Sequence, residues 1–244
     1  MTLEDLVEKS ILVLRETESQ FENPVILWST GKDSTLTLSL CRDAFFGEVP
    51  FPVLHIDTGS EFPTMHEFRD RLAKEWNLDL IIKKSDKAGV MKPSEKITNQ
   101  ECCQVLKTDV VRETIEKHGF DAVILSIRSD EKGQNELQDA PKKDSEKDWH
   151  PNNKYPILHW NEIDVWRYTK EMNLPVNPLY FAKNGKRYKS VGCYPCTAPI
   201  KSEANTIEKI INETQTTKTE ERSGIAQDKE AKEILEKLKA LGYI

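Results

Sequence analysis

The sequence predicts an α/β fold in which a doubly wound, mostly parallel sheet is flanked by helices. Short apolar runs typical of buried strands alternate along the chain with longer segments whose apolar residues recur at helical spacing. A small, hydroxyl-rich turn at residues 29–34 directly follows the first apolar run, and polar residues also follow later runs. This alternation is typical of parallel sheets, which bind ligands at the carboxyl ends of their strands.

The elements follow one another in a regular order. An amphipathic helix is predicted first, and Asn23-Pro24 separates it from the first strand. Gly119 is predicted to end the fourth helix as a left-handed cap. The predicted strands are 25–28, 51–57, 78–82 and 120–127. The predicted helices are 2–18, the segment from the turn to about Phe46, 63–76, 103–118, 162–172, 205–213 and 228–241. A further ordered segment is expected at 155–159.

Two later regions differ from this pattern. Between Arg128 and Lys154 charged and amide residues dominate, which predicts a mobile polar loop able to close over a bound substrate. Beyond residue 182 the chain carries a cysteine pair and two predicted helices. We therefore expect an N-terminal helix (1–22), a nucleotide-binding domain (23–182) and a C-terminal extension (183–244).

Composition narrows the classes of function. Hydrophobic residues make up 37% and charged residues 31%, and no apolar run approaches the roughly 20 residues of a membrane span. The acidic, amphipathic N-terminus does not resemble a secretion signal, so a cytoplasmic protein with reduced thiols and no membrane association is predicted. A net charge of -6 argues against general nucleic-acid binding.

A local basic patch remains compatible with an anionic ligand. It comprises Lys183, Lys186, Arg187 and Lys189. Either these residues face an anionic substrate or they lie in a solvated loop.

The turn after the first strand has the features of a phosphate-binding loop. Backbone N–H groups at the N-terminus of the following helix favour an anion there. A Walker A loop would need glycine at position 26 and a hydroxyl at 33, where Ile26 and Asp33 stand. The dinucleotide G-x-G-x-x-G pattern also fails, because Gly31 is the only glycine between residues 24 and 46.

The remaining pattern, Ser29-Thr30-Gly31-Lys32-Asp33-Ser34, resembles the S-G-G-x-D-S loop of the ATP pyrophosphatases, which cut ATP between the α- and β-phosphates. Thr30 replaces the first glycine of that loop. A β-branched residue resists the positive φ that a glycine would allow here, and this departure keeps a non-catalytic scaffold among the hypotheses.

Other segments resemble the phosphoadenosine-phosphosulfate reductase family, which includes the small subunit of bacterial sulfate adenylyltransferase. The resemblance covers about residues 24 to 244, and the tail is most similar to that subunit. The matching segments are His55-Ile-Asp57-Thr58-Gly59 to Phe62, Glu67 to Asp70, Arg128-Ser-Asp130-Glu131, Trp160 to Trp166, Asn177-Pro-Leu-Tyr180, Glu221-Arg222-Ser-Gly224 and Gly242-Tyr243.

The resemblance implies an adenine-nucleotide α-hydrolase-like fold that binds ATP with Mg²⁺. It implies catalytic roles for Lys32, Asp33 and Arg128. The nucleotide-binding residues it implies are Ser29, Thr30, Gly31, Lys32, Asp33, Ser34, Ile56, Asp57, Thr58, Gly59, Ile127 and Arg128. Two alternatives are that Asp57 only caps a strand end and that Arg128 is a surface charge.

Four of the five cysteines form a second candidate site. Cys102-Cys103 and Cys193-Tyr-Pro-Cys196 lie in turn-like sequence, where their thiolates can converge on an iron–sulfur cluster or a zinc ion. The arrangement resembles the [4Fe–4S] ligand set of bacterial adenylylsulfate reductases, so a cluster is favoured over zinc or no metal.

The remaining cysteine and several aromatic residues are assigned to the core. Cys41, Trp160, Trp166 and Tyr168 are spaced for packing. His55, His118 and His159 show no metal-ligand spacing and receive no catalytic role.

The family comparison leaves several functions open. Reductases attack with a C-terminal cysteine, yet none follows Cys196. The sulfate adenylyltransferase subunit does not need a cluster, whereas the ATP pyrophosphatases of bacterial DNA phosphorothioation combine the loop with cysteines. The favoured hypothesis is therefore an ATP pyrophosphatase or adenylyltransferase that activates an acceptor oxygen for sulfur incorporation, with DNA as substrate and a cysteine desulfurase as partner.

Three alternatives remain. One is a sulfate adenylyltransferase small subunit with a GTPase partner. The second is a reductase-like enzyme that acts on adenylylsulfate or phosphoadenylylsulfate, and the third is a non-catalytic scaffold. Homodimerisation is left open.

Overall fold

The computed structural model describes residues 1–130, 152–217, 219–226, 228–230 and 233. Most of the predicted polar loop between Arg128 and Lys154 and most of the predicted helix 228–241 lie outside these residues. Within the described part of the chain, no helix is both long and apolar enough to cross a membrane.

The described residues form a parallel five-stranded sheet with the order β3-β2-β1-β4-β5, which confirms the predicted α/β fold. The strands are β1 Pro24–Leu27, β2 Val53–Ile56, β3 Leu80–Lys83, β4 Ala122–Ile124 and β5 Asn153–Lys154. Ile26 pairs with Val53 on one side of β1 and with Ile124 on the other. The chain therefore moves outward from β1 to β3 and then returns to the opposite side of β1, which makes the β1/β4 boundary a topological switch point.

Helices connect these strands, and a small antiparallel pair of strands follows. The helices are α1 Leu3–Gln20, α2 Lys32–Ala44, α3 Pro63–Glu75, α4 Asn99–Cys103, α5 Asp109–His118, α6 Glu162–Glu171 and α7 Ile207–Thr216. The antiparallel pair is β6 Lys186–Arg187 with β7 Ile200–Lys201.

The N-terminal helix is part of the main core. Leu6 and Leu14 of α1 are buried in the cluster that also holds the apolar face of α2. The Ser10 hydroxyl donates to the Pro156 carbonyl at 2.7 Å and accepts from the Trp160 indole at 2.9 Å. These contacts fix α1 against the chain that leads into α6.

The predicted helix over 103–118 is interrupted. A π-helical turn, Gln104–Thr108, joins α4 to α5, and Gly119 ends α5 with φ +64° as predicted. Cys102 and Cys103 therefore end a short helix rather than lie in a turn. Single π-helical turns are frequent at functional sites, and this one carries Lys107.

The core assignments from sequence are confirmed. Cys41, Trp160, Trp166 and Tyr168 are all buried. The interpretation of the basic patch as a solvated loop is wrong for Arg187, which is buried and paired with Glu213 at 2.8 Å.

Candidate active site

A cleft opens at the carboxyl edge of the sheet, at the switch point between β1 and β4. It encloses about 1220 Å³, its solvent-filled mouth included. Six of the predicted nucleotide-binding residues line it: Ser29, Gly31, Asp33, Ser34, Ile56 and Ile127. The cleft thus forms where parallel α/β sheets generally bind ligands.

The inner walls of the cleft are apolar. The strand ends and flanking helices contribute Leu27, Trp28, Leu54, Met65 and Val111. A planar base can pack against such walls, while the hydroxyl-bearing loop at the N-terminus of α2 can bind an anion. The cleft therefore has the two chemical environments that a nucleotide requires.

The phosphate loop runs directly into α2. Gly31 is the N-cap of this helix, and the Ser29 and Ser34 hydroxyls lie 3.1 Å apart. The Lys32 backbone N–H donates to the Tyr180 hydroxyl at 3.1 Å, which fixes the first turn against the chain after α6. The other backbone N–H groups of this turn and the helix dipole favour phosphate oxygens.

Thr30 has φ +62°, so this β-branched residue adopts the left-handed conformation that a glycine would adopt more easily. The residue is buried, and its hydroxyl has no hydrogen-bond partner among the described residues. For a β-branched residue this backbone conformation is rare and costly.

Lys32 and Arg128 lie behind the cleft wall, within an ion-pair network. Their side chains are 2% and 0% exposed. Asp33 contacts both, with Lys32 Nζ at 2.8 Å from its carboxylate. Arg128 Nε donates to Asp130 at 2.9 Å. Arg128 is therefore not a surface charge, and that alternative is wrong.

Glu221 completes this network from the C-terminal extension. Its carboxylate accepts from both Lys32 Nζ and Arg128 Nη2. Burial disfavours the charged lysine, yet Asp33 and Glu221 together raise the pKa of Lys32 above its ordinary value. Lys32 is thus a permanent cation adjoining the phosphate loop.

The segment that carries Glu221 is fixed by close backbone contacts. Ala198 N–H donates to the Gly224 carbonyl at 2.9 Å, and Thr197 forms a β-bridge with Ile225. Lys189 Nζ donates to the Thr219 carbonyl at 2.8 Å. Lys189 is therefore buried and structural, which corrects its assignment to a solvated loop.

Glu162 lies next to the network, and the charges of the network affect the pKa of its carboxyl. Its carboxylate is 3.7 Å from Lys189 Nζ. Burial first, and then the negative charge of Glu221, raise the pKa of the Glu162 carboxyl above its ordinary range.

The Asp57-Thr58-Gly59 segment was predicted to bind the nucleotide, but it is not among the residues that line the cleft. The Gly59 N–H donates to Asp57 Oδ1 at 2.7 Å, so Asp57 does cap the strand end. Gly59 has φ +70°, and a Cβ there would meet the Gly89 backbone nitrogen at 2.4 Å. Thr58 Oγ1 lies 3.2 Å from Cys193 Sγ. The segment therefore links the nucleotide cleft to the cysteines.

The four predicted cysteine ligands, Cys102, Cys103, Cys193 and Cys196, line a single pocket. Cys193 also lines the nucleotide cleft. Among the described residues, no three of these sulfurs lie within 4.8 Å of one another. A zinc ion with Zn–S bonds of about 2.3 Å would hold its sulfurs closer than this. The described residues therefore hold no compact three-sulfur group of the kind that a preformed zinc site requires.

Lys107 borders both the cysteine pocket and the nucleotide cleft. Burial lowers the pKa of its amine, but electrostatic interaction with the neighbouring Cys193, Cys103 and Glu61 outweighs that effect, so the pKa of Lys107 is raised. Burial, with Cys193 nearby, raises the pKa of the Cys196 thiol to about 11. Lys107 is thus a cation suited to an anionic cluster or substrate.

Residues 23–199 match the phosphoadenosine phosphosulfate reductase domain. The chain belongs to this family. Sulfate adenylyltransferase subunit 2 of Pseudomonas fluorescens Pf-5 is 33% identical, over 99% of this chain and 97% of that protein. Solved structures with low sequence identity to this chain have a similar fold. The phosphoadenylyl-sulfate reductase of Candida auris has a TM-score of 0.58 and 18% identity, over 80% of this chain and 96% of that chain.

A second solved structure is the U34-tRNA thiolase NcsA of Methanococcus maripaludis, determined with its [4Fe–4S] cluster. Its TM-score is 0.51 with 14% identity, over 71% of this chain and 66% of that chain. At this identity the likeness shows the fold alone.

Three residues at the site had been given no role from the sequence of this family member. Glu221, Lys107 and Tyr180 contact or border the site from elements distant in sequence. Tyr180 belongs to a recognised motif, but its contact with the Lys32 backbone needed the folded chain. Only the similarity of the tail pointed toward Glu221.

Replacing Thr30 with glycine is expected to stabilise this member of the phosphoadenosine phosphosulfate reductase family. Glycine adopts positive φ without a Cβ clash, so we expect the free energy of unfolding to rise by about 1 kcal/mol after the entropy cost of glycine in the unfolded chain. Urea denaturation measures this change in the free energy of unfolding. Thr30→Ala also removes the unpaired hydroxyl but keeps a Cβ, so its free energy of unfolding should rise by less. Equal gains for the two variants would contradict backbone strain.

Proposed function

We propose that this protein transfers the adenylyl group of ATP to an oxyanion acceptor and releases pyrophosphate. The phosphate loop at one end of an apolar-walled cleft carries this proposal. In it, Ser29, Gly31 and Ser34 face the same space as Ile56 and Ile127. That arrangement suits a nucleotide with its base between the strand ends and its phosphates at the N-terminus of α2.

The reaction follows from the charges around the loop. An acceptor oxygen attacks the α-phosphorus, and the bond from that phosphorus to the bridging oxygen breaks, so pyrophosphate leaves into the Ser29–Ser34 loop. Lys32 and Arg128 are fixed cations next to this loop and stabilise the negative charge that grows on the leaving group. Mg²⁺ would enter with the nucleotide and neutralise part of the same charge.

Glu221 sets the conditions for phosphate binding. Its carboxylate already contacts both Lys32 and Arg128, so phosphates must compete with it or bind the backbone N–H groups of the loop. We infer that the C-terminal segment tunes ATP affinity through this contact.

Sulfate is the first candidate acceptor. The support is the 33% identity to sulfate adenylyltransferase subunit 2 along nearly the whole chain. The name of that relative implies a partner subunit, and a GTPase is the partner we would expect for this chain if sulfate is the acceptor.

A phosphate oxygen of DNA is the second candidate acceptor, and the four-cysteine pocket favours it. In that pathway a persulfide sulfur supplied by a cysteine desulfurase attacks the adenylylated DNA phosphorus, AMP leaves with the displaced oxygen, and a thiol reductant then cleaves the remaining S–S bond. Cys102, Cys103, Cys193 and Cys196 would hold a [4Fe–4S] cluster, which supplies electron transfer or an iron atom able to bind sulfur. The shared wall at Cys193 would bring such a cluster close to the nucleotide.

The test is pyrophosphate release from MgATP by anaerobically purified protein, with sulfate or DNA as acceptor. Iron and acid-labile sulfide are measured on the same sample. Ser34→Ala removes a loop hydroxyl and should slow release by about 10- to 100-fold. Ser39→Ala, further along α2, should leave it unchanged.

The outcomes separate the candidates. Release that depends on sulfate supports the first acceptor, and release that depends on DNA with about four irons per chain supports the second. The absence of pyrophosphate release with both acceptors, or release that Ser34→Ala does not slow, would overturn the proposed adenylyl transfer. Iron that survives in the Cys196→Ser variant would contradict the proposed ligand set.

A further inference from the structure

We propose that Asp57, Glu61 and His66 form a binding site for a divalent transition-metal ion at the edge of the nucleotide cleft. One ligand atom from each residue lies within 4.8 Å of the other two. Asp57 follows the end of β2, Glu61 lies in the next loop, and His66 is in the first turns of α3. The site shares no residue with the phosphate loop or with the four cysteines, and it goes beyond the proposed adenylyl transfer.

The orientation of His55 supports a cation here independently of that cluster. The His55 ring is buried, and its Nδ1 lies 2.9 Å from the Trp28 carbonyl oxygen. Since a carbonyl only accepts, Nδ1 carries the proton. Nε2 then faces Glu61 Oε2 at 3.2 Å. Nε2 is thus the ring nitrogen available on the side of the three-residue group.

Metal-ligating histidines usually donate their other ring N–H to a carbonyl or carboxylate, as His55 does to Trp28. His66 Nε2 approaches the same Glu61 oxygen at 3.8 Å. Two imidazole nitrogens therefore converge on one buried carboxylate. This convergence makes Glu61 the central ligand, with His55 next to the three-residue group.

In the structure, Lys84 supplies the positive charge next to these carboxylates. Lys84 Nζ lies 2.6 Å from Asp57 Oδ2, and the Lys84 side chain is 56% exposed. Burial of Asp57 opposes its charged form, but the Lys84 contact and the Gly59 N–H hold the pKa of the carboxyl below its ordinary value. An exposed lysine can move into solvent, so a metal ion can replace its charge.

The ligand types select the kind of ion. Imidazole suits zinc and iron, and carboxylates suit manganese and magnesium, so the mixed set fits Mn²⁺, Fe²⁺ or Zn²⁺ better than an all-oxygen ion. Mn²⁺ is the preferred probe, because zinc and iron would also bind the four cysteines. Because Glu61 lines the nucleotide cleft, a bound ion would contact the cleft from the β2 side.

The experiment is a titration of the full chain with MnCl₂, without nucleotide, followed by electron paramagnetic resonance. The wild type should bind one ion with a dissociation constant in the micromolar range, and Glu61→Gln and His66→Ala should each weaken binding at least tenfold. The matched controls, Glu67→Gln on the exposed side of α3 and His159→Ala, should bind as the wild type does. Thermal melts without metal identify variants that do not fold.

Lys84→Ala gives a second, opposite readout. Removing the competing cation should tighten Mn²⁺ binding several-fold, which a purely structural ion pair would not do. No Mn²⁺ binding by the folded wild type, or binding that Glu61→Gln leaves unchanged, would overturn the site. Neither result would affect pyrophosphate release as the test of adenylyl transfer.

Discussion

Replacing Arg128 with methionine is expected to destabilise the protein by about 3–5 kcal/mol, because it removes one partner of a buried ion-pair network. The side chain is fully buried and contacts the carboxylates of Asp33, Asp130 and Glu221. Without the guanidinium, Lys32 alone would face Asp33 and Glu221. Denaturant unfolding at neutral pH measures the loss.

The same variant should lose at least a hundredfold in pyrophosphate release, since one of two cations next to the leaving group is gone. Arg167→Met is the matched control. That side chain is 54% exposed and lies 3.8 Å from Asp164, so stability should change by less than about 0.5 kcal/mol. Arg128→Met within about 1 kcal/mol of the wild type would contradict the network's role in the fold.

Glu221 and Arg222 reach the site on one segment of the C-terminal extension. The Gly224→Ala variant is expected to detach this segment from its present position. A Cβ at Gly224 would lie 2.4 Å from the Ala198 carbonyl oxygen, so the backbone contact that fixes this segment must break. Arg222 lines the nucleotide cleft, and we expect its displacement to lower kcat at least tenfold. The Glu221 carboxylate would also separate from Lys32 and Arg128. Because it would then no longer compete with the phosphates of ATP, the KM for ATP should fall.

Steady-state kinetics of pyrophosphate release distinguish these two effects. Gly47→Ala is the control, since a Cβ there meets nothing within 4 Å, although its φ of +100° makes a stability cost expected. Its kinetics should match those of the wild type. A Gly224→Ala enzyme with unchanged kcat and KM would mean that the segment does not act on the bound nucleotide.

The features that could be predicted from sequence are local ones. The phosphate loop was recognisable because one strand, one turn and one helix N-terminus follow each other within about 20 residues. The replacement of a loop glycine by Thr30 was visible in the sequence, but the positive φ of that residue needed the folded chain. The sequence predicted a mostly parallel sheet, but not the order of its strands or its fifth strand. Strand β5 could not be predicted, because it consists of two polar residues, Asn153 and Lys154, without a hydrophobic pattern.

The features that were missed depend on contacts between distant parts of the chain. Glu221 is separated from Lys32 by 189 positions, and nothing near either residue indicates that they meet. The π-helical turn at Gln104–Thr108 has no periodic signature of its own, yet it sets the position of Lys107. Burial of Arg187 likewise depends on Glu213 of α7, which no local pattern specifies.

Cys193 forms part of the wall between the cysteine pocket and the nucleotide cleft, and Thr58 contacts its sulfur at 3.2 Å. Through this shared wall, a ligand in one compartment can displace a side chain that the other compartment also uses. If filling one compartment changes affinity in the other, the reverse change must have the same size. Oxidation of the Cys193 thiol would then change the affinity of the cleft for its ligand, and a bound ligand would change the susceptibility of that thiol to oxidation.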